Sequence, residues 1–341
     1  MKCINTVDAV GHVLCHDITR IVKDVVKDTA FRKGHVVEEK DIPVLLSLGK
    51  DHLYVWEKDE DKLHEDEAAQ ILYEVCKNEH MHPTPVKEGK IELIADCDGL
   101  FRVDVARLNA VNEIEDIMIA TRHSNTVVKK GERLLGTRVI PLVIAKEKME
   151  LVKKTAGEEP LVSLTPFQKM KAGIITTGNE VYHGRIKDTF TPVVVGKLKT
   201  YGVEIGDHIL CDDNQEKITN AILELKEKGM DMIVCTGGMS VDPDDKTPGA
   251  IKNTGAKIIS YGAPVLPGAM FLLGYLEDKI PVMGLPGCVM YAKTTVFDLV
   301  LPRIIAGIPV TRKELAHLGN GGFCLGCETC HYPNCGFGKG V

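Results

Sequence analysis

The 341-residue sequence has few aromatic residues and no surplus of positive charge. Aromatic residues make up 5% of the chain, with a single Trp, which leaves little material for the stacking platforms that hold single-stranded nucleic acids. Lys and Arg number 42 against 48 Asp and Glu, for a formal net charge of −6. A general nucleic-acid binder needs a basic face, so we expect no nucleic-acid partner.

Long hydrophobic runs are also missing. The most apolar stretch, residues 296–310, is interrupted by Asp298, Pro302 and Arg303 and is too short to cross a bilayer. Asp8 stands where the apolar core of a signal peptide would lie. We therefore expect no membrane association and a cytoplasmic protein. With 44% apolar and 26% charged residues, the composition is that of a globular protein of two or three domains.

The first half of the chain shows mixed periodicity. Residues 1–57 predict a strand-like start, a helix with Leu45, Leu46 and Leu48 on one face, and a short strand over 53–56. Residues 58–88 predict an amphipathic helix over 58–77 followed by a linker. Alternating apolar residues between glycines predict a β-rich module over 89–165.

The pattern changes near Lys171, where short apolar strands alternate with helices. Strands are predicted over 172–177, 203–210 and 231–236, and helices over 191–201 and 215–228. Such βαβ units predict an α/β domain at 166–311 with a doubly wound, mostly parallel sheet, preceded by N-terminal α+β and β-rich modules. Residues 312–341 show no core-forming period and are predicted to be a separate tail.

Three glycine-containing loops follow strands of this domain: TTGNE at 176–180, TGGMSVDPDD at 236–245 and GLPG at 284–287. Ligands of open α/β sheets bind at the carboxyl edge, where such loops converge. Their backbone amides suit a phosphate, whereas no Walker A or G-x-G-x-x-G motif is present. The nearby carboxylates would repel a bare anion unless a divalent cation bridges them. The alternatives are ordinary tight turns for the glycines, and helix caps for Asp188 and Asp213.

The ordered blocks ITTGNE, DT, ILCDDN, IVCTGGMSVDPDD and MGLPG resemble the molybdopterin-binding domain of molybdenum cofactor biosynthesis proteins. These include molybdopterin adenylyltransferases and molybdopterin molybdenumtransferases of the MoeA or gephyrin E-domain type. The resemblance covers about residues 171–307. The pieces GHVLCHDIT and FRKGHVVEEKDIPVLLSLGKDHLYVW are similar, less specifically, to edges of other transferase domains.

The resemblance implies a role for individual residues of these blocks. It implies that molybdopterin is bound at Thr177, Gly178, Asp188, Gly237, Gly238, Ser240, Pro286 and Gly287. It also implies that Glu180, Asp212 and Asp245 are the catalytic acidic residues, at which Mg²⁺ and molybdate meet the pterin. The implied activity is the insertion of molybdate into adenylylated molybdopterin.

Several positions depart from the family pattern. Phe190 replaces an Asn after Asp188-Thr189, Ala269 stands in the block Leu266–Met270 that normally carries two lysines, and Cys288-Val289 replaces Asn-Pro. A buried charge-assisted hydrogen bond from each such lysine would stabilise an anion by about 1.5–3 kcal/mol. The alternative function is therefore a non-catalytic carrier, chaperone or sensor of the finished cofactor. Expected partners are the pterin, an adenylyltransferase or a molybdoenzyme, and a second copy of the chain.

Four of the eleven cysteines lie close together near the C-terminus, as Cys324-x2-Cys327-x2-Cys330-x4-Cys335 with His331 beside them. The C-x2-C-x2-C run resembles the cluster-binding run of bacterial ferredoxins. A tight Cys₄ or Cys₃His zinc site is the competing interpretation. The spacing predicts a metal site, either an Fe–S cluster or Zn²⁺; a redox-active or disordered tail is the alternative.

Overall fold

The computed structural model describes residues 2–22, 26–55 and 61–340, so the predicted boundary between residues 57 and 58 lies outside the described residues. The chain divides into two compact units. The first contains residues 1–97, 103–122 and 130–164, and the second contains 98–102, 123–129 and 165–341. Among the described helices, none combines the length and the apolar character that crossing a membrane requires.

The first unit consists of small antiparallel sheets and helices. Its four-stranded sheet has the order Met81–Pro83, Lys90–Ala95, Arg133–Val139, Ile117–Thr121. Two-stranded ladders join Lys2–Asn5 with His52–Val55, Ile18–Val22 with Val26–Phe31, and Lys62–His64 with Val143–Ala145. The helices are Ile42–Ser47, Glu65–Cys76, Val105–Asn112 and Lys146–Ala156, with 3₁₀ turns at Thr6–Asp8 and Glu39–Asp41.

Three predictions for this unit are wrong in part. The helix predicted over 58–77 begins only at Glu65, because His64 caps it: the His64 ring accepts from the Asp66 amide, and the Glu67 carboxylate accepts from the His64 amide. Residues Met81–Pro83, predicted as linker, pair with Lys90–Ala95 as an edge strand. The helix Val105–Asn112 lies inside the predicted β-rich module, where no helix was predicted.

The second unit is built on a six-stranded sheet. Its strands are β1 (Lys171–Thr177), β2 (Glu204–Cys211), β3 (Met232–Thr236), β4 (Lys257–Tyr261), β5 (Leu272–Leu276) and β6 (Ile280–Leu285). The order is β2-β1-β3-β6-β5-β4; the first four strands run parallel, and β5 is antiparallel to both neighbours. Outside this sheet, Gly99–Val103 pairs with Thr126–Val128, and Val162–Pro166 forms a further strand.

Helices cover both faces of this sheet. They are α1 (Asn179–Tyr182), α2 (Phe190–Thr200), α3 (Gln215–Glu227), α4 (Thr247–Asn253), α5 (Val296–Ile305) and α6 (Arg312–His317), with a 3₁₀ turn at Gly287–Met290. Consecutive residues of β1 point to opposite faces: Ile174 packs in the cluster containing α2 and α5, and Ile175 in the cluster containing α3 and α4. The predicted doubly wound, mostly parallel α/β class is confirmed.

The segment after residue 311 is not separate from this core, contrary to expectation. Leu315 and Phe337 are buried in the cluster with α5, and Tyr332, Cys324 and Cys335 pack against it. Its apolar residues are too far apart in sequence to show a period, so only the folded chain brings them together. The five-part domain division stays a prediction; in the structure its first three parts contribute to the first unit and its last two lie in the second.

Candidate functional site

The registers of the parallel strands bring the glycine loops to one edge of the sheet. Thr176 of β1 lies beside Thr236 of β3, and Thr236 lies beside Leu285 of β6. Thr177 is likewise level with Cys211 of β2. Each of these residues is the last or next to last of its strand, so the loops that follow begin side by side.

A cleft of about 650 Å³ opens at this edge. It is lined by three segments, which are residues 237–240 with Asp245, residues 266–270, and residues 285–288 with Met290 and Tyr291. The predicted site residues that line it are Gly237, Gly238, Ser240, Asp245, Pro286 and Gly287. Two of the three predicted loops thus form its walls.

The first loop lies beneath the second instead of lining the cleft. The Thr177 hydroxyl donates to the Thr236 carbonyl at 3.2 Å and lies 3.2 Å from the Thr247 hydroxyl. Gly237 has a φ of +85°, and a Cβ there would stand 2.3 Å from the Thr177 carbonyl oxygen. Only glycine allows this approach, so Thr177 and Gly178 belong to the support of the second loop.

Asp188 acts as a helix cap, which is one of the two roles that the sequence allows it. Its Oδ1 accepts from the amides of Phe190 and Thr191 at 2.9 and 3.0 Å, at the start of α2. Although burial opposes ionisation, these bonds and the Thr191 hydroxyl lower the pKa of the Asp188 carboxyl. A hydroxyl network continues inward, from Thr191 to Thr176 at 2.6 Å and on to His208 Nε2 at 2.9 Å. The role of Asp188 in pterin binding stays a prediction.

The three predicted catalytic carboxylates are placed differently from one another. Asp245 is half-buried at the cleft, whereas Glu180 is exposed on α1. Asp212 accepts from Lys217 Nζ at 2.7 Å, and this bond lowers the pKa of the Asp212 carboxyl. Its other oxygen, Oδ1, is shielded from solvent and has no hydrogen-bond partner among the described residues.

Asp213, the second capping candidate, joins two of the loops. Its carboxylate accepts from the Asn179 amide at 2.9 Å, so it caps the neighbouring α1 and not its own helix. Asn214 caps α3 instead, by accepting from the Lys217 amide at 3.0 Å. The loops after β1 and β2 are therefore held together by side-chain bonds.

Sequence reasoning missed much of the cleft lining. Met239, Met270 and Met290 are among the lining residues, and Tyr291 is largely exposed at the mouth. The Tyr261 hydroxyl holds the second loop by donating to the Met239 and Ser240 carbonyls at 2.9 and 3.2 Å. A usable signal existed, since 290–291 lie three and four residues after the third loop and 266–270 form one of the blocks compared with the resembled family.

The cleft has little charge. Among its lining residues Asp245 is the only ionisable carboxylate, and no Lys or Arg is present. Leu266 and Ala269 stand where the resembled pattern has its two lysines. Burial raises the pKa of the Cys288 thiol, so this thiol stays protonated at neutral pH and is a weak nucleophile. Any anion in this cleft would have to be held without a Lys or Arg side chain from the lining.

The tail cysteines do not form a ready-made metal site. Cys324 and Cys335 are half-buried against the core, whereas Cys327 and Cys330 are exposed. Within residues 2–22, 26–55 and 61–340, no group of three or more His, Cys, Asp or Glu side chains is arranged to hold a metal ion. This applies equally to the four tail thiols and to Glu180, Asp212 and Asp245; both metal sites stay predictions.

Comparison with known proteins gives a family match for the core of the second unit. Residues 173–306 match the family described as "Probable molybdopterin binding domain", and residues 3–57 match a domain of unknown function. CinA-like proteins of Mycobacterium avium and Mycolicibacterium vanbaalenii are 36% and 38% identical over 77 residues. That stretch is 23% of this chain and 18% of each relative, so the match spans about a fifth of their length.

Solved structures give weaker likenesses. The molybdopterin biosynthesis enzyme MoaB from Thermus thermophilus is 21% identical, covering 41% of this chain and 98% of its own, with a TM-score of 0.34. A molybdenum cofactor biosynthesis protein from Pyrococcus furiosus is 15% identical over 90% of this chain and 64% of its own, with a TM-score of 0.28. The family match over 173–306 confirms the predicted resemblance to the molybdopterin-binding domain; the more specific resemblance to molybdenumtransferases is not confirmed.

Proposed function

We propose that the cleft of the second unit binds a phosphorylated pterin, the molybdopterin of molybdenum cofactor biosynthesis. The observation that carries this is the convergence of the second and third glycine loops around one cleft of about 650 Å³ within a molybdopterin-binding domain. Such a volume lies within the usual range for small-molecule sites.

The phosphate and the ring of the ligand would contact different parts of the cleft lining. The loop at Gly237 and Gly238 lines the cleft, and its backbone amides would hold the phosphate. The pterin ring would lie against Tyr291, Met270 and Met290, where an aromatic face and polarizable sulfur favour a flat heterocycle. The Ser240 hydroxyl supplies one further hydrogen bond.

A binding titration of the full chain with molybdopterin tests this proposal. We expect Tyr291→Ala and Ser240→Ala to weaken binding about 5- to 30-fold each, the usual effect of removing one stacking or hydrogen-bonding group. Asp242→Asn is the matched control, because Asp242 is exposed on the same loop but does not line the cleft. Unchanged affinity in both cleft variants would show that the pterin does not bind in this cleft.

We further propose that the bound, adenylylated pterin receives molybdate with the help of Mg²⁺. Of the three carboxylates, Asp245 lines the cleft, whereas Asp212 and Glu180 do not. Carboxylate oxygens are the ligands that Mg²⁺ prefers, and Asp212 Oδ1 is a shielded oxygen without a hydrogen-bond partner in the described part of the chain. Mg²⁺ would neutralise the anionic reactants when bound. The chain's own part would be to hold the pterin on the loop amides and to offer Asp245 as an oxygen donor in the cleft, with Asp212 and Glu180 on the loops after the two neighbouring strands.

Insertion is tested by incubating the full chain with adenylylated molybdopterin, molybdate and Mg²⁺. Glu180→Gln, Asp212→Asn and Asp245→Asn should each slow molybdenum incorporation by at least about 10-fold while pterin binding persists. If all three variants incorporate molybdenum at the wild-type rate, these carboxylates have only a structural role.

A carrier of the finished cofactor is the second candidate, and the absence of Lys and Arg from the cleft lining favours it. Without cations, the walls offer little to hold the charged molybdate during transfer. A carrier binds mature cofactor tightly and leaves the adenylylated precursor unconsumed. The transferase consumes the precursor, so the same incubation separates the two.

The tail supplies a further proposal, that Cys324, Cys327, Cys330 and Cys335 bind an Fe–S cluster or Zn²⁺. The donor set is four thiolates within twelve residues, which is the chemistry both centres require. Metal analysis of protein purified without oxygen tests it. Near-stoichiometric iron and sulfide would identify a cluster, and zinc alone would identify a Zn²⁺ site. Protein that contains neither metal would contradict the proposal.

A further inference from the structure

Thr247 binds the first two carbonyls of the second glycine loop. The Gly237 carbonyl accepts from the Thr247 hydroxyl at 2.8 Å, and the Gly238 carbonyl accepts from the Thr247 amide at 3.2 Å. Thr247 is buried, and a Cβ on Gly238 would stand 2.9 Å from its hydroxyl oxygen. The hydroxyl therefore occupies the space that a side chain on Gly238 would need, and Thr247 itself does not line the cleft.

Tyr261 binds the next two carbonyls of the same loop. Its hydroxyl donates to the Met239 carbonyl at 2.9 Å and to the Ser240 carbonyl at 3.2 Å, so one proton is shared between two acceptors. Burial, with the charge of Asp245 adding to it, raises the pKa of Tyr261, so the hydroxyl stays protonated and donates at neutral pH. Like Thr247, Tyr261 is not among the residues that line the cleft.

The amides of this loop point the opposite way from its carbonyls. The peptide bonds joining residues 237–241 are trans, and in a trans peptide the N–H and the C=O project to opposite sides of the chain. The carbonyl side of the loop is occupied by Thr247 and Tyr261. Within the described part of the chain, none of the amides of residues 238–241 donates a hydrogen bond. The amide side is therefore the side that is available to a ligand.

These amides are donors in a cleft whose lining has no Lys or Arg. Successive backbone N–H groups on one side of a loop bind anions, and a hydrogen bond from an amide to an oxyanion is stronger than one between neutral groups. A tetrahedral oxyanion has several acceptor oxygens for the amides of residues 238–241. Because four carbonyls are already bound on the other side, the amides are oriented before a ligand arrives.

We infer that Thr247 and Tyr261 are positioning residues that turn the amides of residues 238–241 toward one tetrahedral oxyanion of the cleft ligand. The inference deepens the proposed function, on which it rests for the identity of that oxyanion as the phosphate of the pterin. Each hydroxyl acts through the backbone and makes no contact with the ligand. Loss of either hydroxyl leaves peptides free to rotate, so binding then includes the entropic cost of ordering them.

Inorganic phosphate alone tests the subsite in the full chain, by nuclear magnetic resonance of backbone amides. Phosphate should shift the amide resonances of residues 238–241 in a saturable way, whereas chloride at equal ionic strength should not. Tyr261→Phe and Thr247→Val should each raise the phosphate concentration at half-saturation at least about 5-fold. The absence of a phosphate-specific shift in the wild-type chain, or equal half-saturation in the wild type and both variants, overturns the inference.

Two control variants belong to the same titration. Thr247→Ser keeps the hydroxyl, and Tyr182→Phe removes the hydroxyl of a similarly exposed tyrosine of the same unit that does not line the cleft. Both should stay within about 2-fold of the wild type. Losses in these controls as large as in Tyr261→Phe would show that the hydroxyls of Thr247 and Tyr261 have no special part, and would overturn the inference.

A pair of pterin ligands separates orientation of the amides from general loosening of the cleft. Molybdopterin and its dephosphorylated form differ only in the group that the amides would bind. Tyr261→Phe should weaken molybdopterin binding about 5- to 30-fold and change the affinity for the dephosphorylated form by less than about 2-fold. Equal weakening for both ligands would mean that Tyr261 merely stabilises the cleft, which overturns the inference. If neither pterin binds the wild-type chain, the proposed function fails, and the phosphate titration still decides the inference.

Discussion

At the scale of single residues, the cleft depends on places where one atom more would not fit. Gly237 is the clearest case, because the backbone of Thr177 occupies the space of its missing side chain. The sequence pointed to Gly237 through its loop, and the tertiary contact with the first loop explains the requirement. The pKa of an ionisable residue likewise depends on its tertiary surroundings.

Gly237→Ala should lower the free energy of unfolding by about 1–3 kcal/mol more than Gly184→Ala does. Both glycines have positive φ, +85° and +65°, but a Cβ on Gly184 meets nothing within 4 Å. The difference therefore isolates the clash with Thr177. Urea unfolding of the two variants measures it, and equal losses of stability would contradict the close approach.

Glu65 predicts a pH dependence of stability. Burial raises the pKa of its carboxyl to about 7, with Asp66 adding to the rise. The unfolded carboxyl has an ordinary lower pKa, so the folded state binds more protons and its stability falls as pH rises from about 4.5 to 7. Glu65→Gln should remove about 1–3 kcal/mol of this fall between pH 4.5 and 8. Urea midpoints at both pH values, with exposed Glu150→Gln as control, decide it.

At the scale of elements, capping residues and sparse apolar packing set boundaries that periodicity alone misplaced. The helix predicted from residue 58 starts at Glu65 because His64 ends a strand and caps the helix. The tail showed no period, yet α6 and Phe337 complete the core beside α5. Arg303 contributes as well, since its guanidinium pairs with Glu314 of α6.

Phe337→Ala should cost about 3–5 kcal/mol of unfolding free energy, as is usual for truncation of a buried Phe. Phe337 is 5% exposed, whereas Leu325 of the same tail is 81% exposed. Leu325→Ala should accordingly stay within about 0.5 kcal/mol of the wild type. Thermal or urea unfolding distinguishes the two, and a similar small effect for both would show that the tail does not share the core.

At the scale of the whole molecule, sequence order and compact units do not coincide. Residues 98–102 and 123–129 belong to the second unit although they lie far upstream of its main body. Residues 124–127 line a small cavity together with Leu299, Val310 and Tyr332. A division of the chain at a single point therefore removes part of the α/β unit.

A fragment of residues 165–341 should be less stable than residues 98–341, which keep both upstream segments. Removing these segments should lower the melting temperature by roughly 5 °C or more, since about 1 kcal/mol shifts it by about 2–4 °C at this size. Circular dichroism melts of the two fragments test this. Coincident melts would show that the upstream segments add nothing to the unit.

The sequence by itself predicted the mostly parallel α/β class, the strands over 172–177, 203–210 and 231–236 with the helices between them, and the glycine loops at the strand ends. These features follow from local periodicity and from glycine and capping chemistry, which act over a few residues. Only the tertiary structure decided which residues face the cleft. Asp188 became a cap, Asp212 paired with Lys217, and Met239, Met290 and Tyr291 became walls, because such neighbours are set by strand register and loop packing between distant segments.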